Sequence, residues 1–436
     1  MSRPRPIVVK FGGATLSDPT AVIREIERLR GTGRPVIVVV SAREGITDLL
    51  FGLARRPMSP AGRRRAFRRL ARAHPGGPEI ARLRRGTERL AEQTAGRPTD
   101  PASTDRLVSQ GERLAAAWLA ETLRGAGVPA TAVEADRLGL VTDNVYGSAR
   151  ILLGRSRRRV ARGLADLLEQ GTLPVVTGYF GRSREGKVAT LGRGGSDYAA
   201  SAIGAIVRAS RVELVKRDVS IYSADPRLVD RPIPLRRLSY EEAEELSQFG
   251  ARVLHPYTIE PLRALGIPLL VRSLNGARGT TEVGPWRNGG RLRAVAMLRS
   301  LDLYRLRVPG GRQRPGVIAE VTDRLRAHDV NVVQLYTSST LLCLVVDRAA
   351  SHRAETALRP LRRAAEATLD GPRRVSLAIA IGDGIVGDLG RIPTEILAQG
   401  EGVSATPRAV SIAVPEGRER RVLTALHHAL VRGARR

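Results

Sequence analysis

Thr190-Leu191-Gly192-Arg193-Gly194-Gly195-Ser196-Asp197 decides how the rest of this chain is read. Gly192, Gly194 and Gly195 let backbone N–H groups approach a polyanion closely. Arg193 adds a forked cation, and Ser196 and Asp197 stand where a helix should begin. The unsatisfied donors at a helix N-terminus point at such an anion. Residues 198–207 follow as a small-residue helix able to pack tightly beneath a nucleotide. A glycine run alone is often no more than a loop, so its weight depends on what accompanies it.

A second glycine site lies near the amino terminus. Ile7-Val8-Val9 reads as a buried strand, and Lys10-Phe11-Gly12-Gly13-Ala14-Thr15-Leu16 turns into Ser17-Asp18-Pro19-Thr20, a helix start. Strand, glycine turn and helix again form an anion cradle, now with an ammonium beside it. Of 72 basic residues only Lys10, Lys187 and Lys216 are lysines. A compact point charge at Lys10 suits a phosphate in a way that a planar guanidinium does not.

These stretches and three further blocks resemble the aspartokinases of the amino-acid kinase superfamily over nearly the whole chain. Lys10-Phe11-Gly12-Gly13, Val40-Ser41-Ala42 with Gly45-Ile46-Thr47, and Ser109-Gln110-Gly111-Glu112-Arg113 match in order. So do the Gly192–Asp197 loop and Phe249-Gly250-Ala251-Arg252-Val253-Leu254-His255-Pro256. The resemblance implies an α/β fold, a mainly parallel sheet between helices, followed by two ACT-like β-α-β regulatory units. It also implies transfer of phosphate from ATP, with Mg2+, to the side-chain carboxylate of L-aspartate. That reaction opens lysine, threonine and methionine biosynthesis.

Residue roles follow the matched blocks. The resemblance implies that Lys10 meets the transferring phosphate and that the backbone of Gly12 and Gly13 approaches the same oxygens. Asp197 orients lysines across the active site. Arg252, beside Val253, stands where the family has a lysine that contacts nucleotide phosphates. Tyr222 and Arg227 correspond to nucleotide contacts. Thr47 matches a threonine that hydrogen-bonds the acceptor, Glu112 its ammonium partner, and Arg193 its α-carboxylate partner, with Gly194, Gly195 and Ser196 completing that loop. A carboxylate for an ammonium and a guanidinium for a carboxylate are natural complements. Lys216 and Arg217 are also expected at the nucleotide, but here the chain departs from the pattern: the family has Thr-Asp, two cations in its place would attract phosphate instead, and Ser220 replaces a glycine.

At 436 residues the chain exceeds one ordinary core. The first ~280 residues alternate apolar runs with helical segments, as in parallel α/β sheets. Expected strands include 7–9, 36–40, 173–176, 212–215 and 268–271. The catalytic domain is expected over 1–283, with an arginine-rich helical insertion at about 53–98. A turn-rich linker at 284–290 ends it. A first ACT-like unit is expected over 295–370 and a second, degenerate one over 371–436. These units would bind an amino-acid effector such as lysine or threonine and join copies into a homo-oligomer.

Net charge is +29 and the pI is near 11.5, yet arginine is scattered and aromatics are 3% of residues. Stacking platforms for single strands are therefore scarce, and no dedicated nucleic-acid function is expected. No run approaches the ~20 apolar residues that span a bilayer, so no membrane partner is expected. The single Cys343 excludes an intramolecular disulfide, and the cytoplasm is the expected location. Two alternatives stay open at this point: a kinase for another carboxylate in a specialised pathway, and a catalytically impaired amino-acid sensor.

Overall fold

The computed structural model describes residues 4–55, 58–94, 100–217, 221–248, 254–274, 279–286, 294–307, 316–361 and 368–432. It divides into two compact units. The first comprises Met1–Ile221, Leu235–Glu244 and Arg252–Trp286; the second comprises Tyr222–Pro234, Glu245–Ala251 and Arg287–Arg436.

The first unit is built on an eight-stranded sheet. In chain order its strands are β1 (Ile7–Phe11), β2 (Val36–Val40), β3 (Ala130–Val133) and β4 (Leu173–Thr177). After a separate hairpin, β5 (Phe180–Arg182) with β6 (Val188–Thr190), come β7 (Arg211–Lys216), β8 (Arg237–Ser239), β9 (Leu269–Ser273) and β10 (Thr280–Gly284). The spatial order is β3-β4-β2-β1-β7-β9-β10-β8, parallel from β3 through β9. Every residue of β1, β2 and β4 is buried, which is why these strands read as unbroken apolar runs.

Helices flank this sheet. In α1 (Pro19–Arg30) the Asp18 side chain accepts from the Ala21 N–H at 3.0 Å and Pro19 opens the first turn. Its buried stripe is Val22, Ile26 and Leu29. After α2 (Ile46–Arg55) come α3 (Pro60–Ala73) and α4 (Pro78–Thr94), the arginine-rich pair. On α3, Arg64, Arg65, Arg68 and Arg72 face solvent while Ala66 and Leu70 are buried. The unit continues with α5 (Pro101–Val108), α6 (Gln110–Gly125), α7 (Ala135–Leu138), α8 (Leu153–Glu169) and α9 (Gly195–Ile206), then the first half of α10 (Tyr240–Gln248), whose residues from Glu245 belong to the second unit, and α11 (Pro256–Arg263). All twelve residues of α9 are buried, and a Cβ on Gly204 would run into Val212 of β7. Among the described residues no helix is long and apolar enough to cross a membrane.

The second unit holds a six-stranded antiparallel sheet. Its elements are β11 (Ala294–Arg307), α12 (Val317–Ala327), β12 (Val332–Thr337), β13 (Leu341–Asp347), α13 (Ser351–Leu358) and β14 (Thr368–Ile381), then α14 (Thr394–Ala398), β15 (Gly402–Ala405), β16 (Ala409–Pro415) and α15 (Glu419–Leu426). The order is β12-β13-β11-β14-β16-β15. The path β11-α12-β12-β13-α13-β14 is the βαββαβ arrangement expected of an ACT-like unit. Both long strands serve two cores, however. Leu301–Arg307 of β11 pairs with β13, while Ala294–Leu298 pairs only with the far half of β14, whose other neighbour there is β16. One ACT-like unit is thus inserted within the other, and the expected boundary between 370 and 371 falls inside β14. The nested arrangement is invisible in sequence because half of a continuous strand carries no boundary signal.

Candidate active site

Three adjacent parallel strands, β2, β1 and β7, end together. The chain leaves β1 towards β2 on one side and receives β7 on the other, and ligands of open α/β sheets lie outside the carboxyl ends at such a point. Lys10 is the fourth residue of β1, and the strand breaks at Gly12, whose N–H donates to the Val215 carbonyl at 3.2 Å. A Cβ on Gly13 would run into the Ala42 carbonyl oxygen on the chain leaving β2. The turn therefore takes glycine because two backbones touch there.

From the other side comes the loop quoted first. Gly194 caps α9 with a φ of 72°, and a Cβ on it would lie 2.6 Å from the His255 Cβ. Only glycine combines that dihedral with that closeness. Asp197, in the first turn of α9, is then aimed at β1 and β7. Its Oδ1 lies 2.6 Å from Lys10 Nζ and its Oδ2 3.0 Å from Lys216 Nζ. Burial pushes the Asp197 pKa up, but the two ammoniums outweigh it and hold the carboxyl far below the usual range. Two ammoniums thus meet one carboxylate beside the glycine turn.

Glu112 marks a contrasting place. It sits in the first turn of α6 and is 2% exposed. A Cβ on the neighbouring Gly111 would lie 2.8 Å from the Ala42 Cβ, so glycine lets α6 press against the chain leaving β2. The Ala42 N–H donates to Glu112 Oε1 at 2.9 Å, and Oε2 has no hydrogen-bond partner among the described residues. Burial lifts this carboxyl to about 8, although the Ala42 N–H and the Lys10 charge oppose the rise. Arg113 does not pair with it: that guanidinium binds Glu134 and Asp136. Glu112 is a buried carboxyl with one oxygen unpartnered among the described residues.

Thr47 lies in the first turn of α2, half-buried. Arg193 is exposed at the loop tip; together with burial, its charge lowers the pKa of His255. Gly195 and Ser196 are buried at the start of α9. The structure thus brings Lys10, Gly12, Gly13, Asp197 and Lys216 together at the ends of β1 and β7. Arg217 points elsewhere than the cleft interior, donating to the Ala14 carbonyl at 2.6 Å with Glu44 at 3.5 Å. It braces the glycine turn. Tyr222 and Arg227 belong to the second unit, where Ala224 and Val229 join the apolar core and Asp225 takes the Arg227 guanidinium at 2.8 Å. Arg252 and Val253 lie outside the described residues.

Sequence reading missed two supports of this cleft. Buried Asp105 accepts from the Thr190 N–H at 2.7 Å and from its hydroxyl at 2.8 Å, and so anchors the leading end of the glycine loop. Arg43 stacks 4.2 Å over Trp118 and donates to the Ala73 carbonyl at the end of α3. The only hint of either was polarity in otherwise apolar or loop surroundings.

Residues 5–273 match the model of the amino acid kinase family. The lysine-sensitive aspartokinase 3 of Escherichia coli is 33% identical over 357 residues, 79% of each chain. The crystal structure of E. coli aspartokinase III in complex with aspartate and ADP (R-state) is similar with a TM-score of 0.83 at 27% identity. The likeness covers 97% of this chain and 99% of that one. The same enzyme in complex with lysine and aspartate (T-state) gives 0.77 at 28% identity, covering 98% and 99%.

Proposed function

This chain belongs to the amino acid kinase family, in its aspartokinase branch, and on that premise we propose that it transfers the γ-phosphoryl group of ATP to the side-chain carboxylate of L-aspartate. The observation that carries this reading is the buried Lys10–Asp197 pair set against the glycine turn, with Glu112 waiting across the Ala42 segment. A cation, backbone donors and a fixed anion suit phosphate; a lone buried carboxyl suits an ammonium.

One acceptor carboxylate oxygen attacks the γ-phosphorus as the bridging P–O bond breaks, and the electron pair of that bond leaves on ADP. No proton moves, so no general base is required. Bringing two anions together is the difficulty, and the protein meets it by positioning and charge. Lys10 stabilises the equatorial oxygens, and Gly12 and Gly13 permit backbone approach to them. Glu112 receives the ammonium of the acceptor, Thr47 hydrogen-bonds the acceptor, and Arg193 takes its α-carboxylate, with Gly194, Gly195 and Ser196 shaping that loop. Tyr222, Arg227, Arg252 and Val253 are assigned to the nucleotide.

Among the described residues no group of three or more His, Cys, Asp and Glu side chains is placed to hold a metal ion. Asp197, the carboxylate at the glycine turn, is committed to two ammoniums. The described residues thus form no protein cage for Mg2+, and the ion would be held by the nucleotide's own phosphates. The ACT-like units bind an amino-acid effector such as lysine and join copies in a homo-oligomer, in the cytoplasm.

The test is to incubate purified protein with ATP, magnesium salt, L-aspartate and hydroxylamine, with Lys10→Ala as control. Aspartyl hydroxamate from the parent protein alone is the expected result. Hydroxamate from a related amino acid but not aspartate would reassign the acceptor; absence of ATP binding by calorimetry would leave only an effector sensor.

A further inference from the structure

We propose that Lys216 is a catalytic cation whose ammonium binds the transferring phosphate alongside Lys10, from a strand-end position where the resembling family has a threonine. This deepens the kinase reading above and rests on it. Four observations converge. Lys216 ends β7, one residue beyond the Phe11–Val215 register pair, so it lies level with Gly12. A Cβ on Gly12 would be 3.7 Å from the Val215 oxygen and 3.9 Å from Lys10 Nζ, so the turn is flanked by both lysine-bearing strands. Asp197 holds one ammonium on each carboxylate oxygen. The two lysine side chains are 8% and 16% exposed, which keeps their charge from being screened by water.

Neutralising Asp197 does not require Lys216, because Lys10 already does so. The second ammonium therefore sets two point cations against the Asp197 carboxylate at the glycine turn. Lysine fits this position because an ammonium has three donors about one point, so it can hold Asp197 and still face a phosphate oxygen. Two of the three lysines among 72 basic residues meet at this one carboxylate. The next residue, Arg217, points to Ala14 and Glu44, as alternation along a strand requires. Both ammoniums act by charge alone.

The experiment compares the full-length protein with Lys216→Met, Lys216→Arg and Lys216→Thr, each checked for an unchanged thermal midpoint. Calorimetry with ATP and with ADP separates a phosphate contact from a structural one. Lys216→Met is expected to lower kcat about 100-fold and to cut the preference for ATP over ADP about 10-fold. Lys216→Arg should recover part of both and Lys216→Thr neither. Retained kcat in Lys216→Met, or equal loss of ATP and ADP affinity, would overturn the proposal. If the parent protein binds ATP but makes no aspartyl hydroxamate, the acceptor assignment fails and the ATP-to-ADP comparison still decides Lys216. If it binds neither nucleotide, both readings fall.

Discussion

Asp197 and Glu112 are both buried carboxyls on first turns of helices, yet their environments push them in opposite directions. Asp197 lies between two ammoniums and is held ionised. Glu112 has only backbone N–H groups and no cation in contact among the described residues, and burial raises it to about 8. Depth alone does not set charge. The partner supplied by the fold decides whether a buried acid is a fixed anion or a receptor for a ligand's cation.

The largest expected effect breaks the phosphate end. Lys10→Ala should lower kcat/KM about 1,000-fold in the hydroxamate assay, because transition-state charge loses its nearest point cation. A loss below tenfold would mean that the two ends of the comparison do not differ in kind.

Glu112→Gln probes the other end. It should raise KM for aspartate about 100-fold, the scale of a lost charged hydrogen bond, while ATP affinity by calorimetry stays within about twofold. If ATP affinity falls equally, Glu112 is a structural acid and the contrast with Asp197 dissolves.

Stability against pH sharpens the contrast. Glu112 titrates near 8 in the fold and near 4.5 when exposed, so the fold binds the extra proton between those values. Its contribution is full below about 4.5 and is lost as pH rises towards 8. Asp197 is depressed, so its contribution is present above 3.8 and is lost only as acid reaches its folded pKa. Thermal midpoints between pH 5 and 8 should therefore fall less steeply in Glu112→Gln than in the parent, and Asp197→Asn should leave that slope unchanged. Equal slopes in all three proteins would contradict the assignment.

Arg217→Ala is the smallest. Half-exposed and bonded to the Ala14 carbonyl, this guanidinium braces the glycine turn from outside. Its loss should cost about threefold or less in kcat/KM, in keeping with exposed charged contacts. A loss as large as that expected for Lys216→Met would place Arg217 on the phosphate too.

The two glycine sites were legible because each joins a strand, a turn and a helix start within about ten residues, and local chemistry dictates all three. The five strands expected from apolar runs all formed, since a strand buried on both faces leaves an unbroken signature. Lys216 was different. In sequence it was a departure from a pattern; in space the end of β7 sets it against a carboxylate nineteen positions earlier. Asp105 reaches Thr190 across 85 positions, and no local rule reports such a contact. Tyr222 and Arg227 matched the nucleotide pattern, and their segment belongs to the second unit, with Ala224 and Val229 in its core.

The shared strands β11 and β14 have a practical corollary for anyone wishing to transplant the second unit. Trimming the chain after residue 370 would not release a finished module, because Ala294–Leu298 would be left without the strand it pairs with. Exchange between relatives has to carry Tyr222–Pro234 together with the span from Ala294 through α15, because Ala224 and Val229 belong to the same core, and chimeras joined inside either strand should be recovered as insoluble protein.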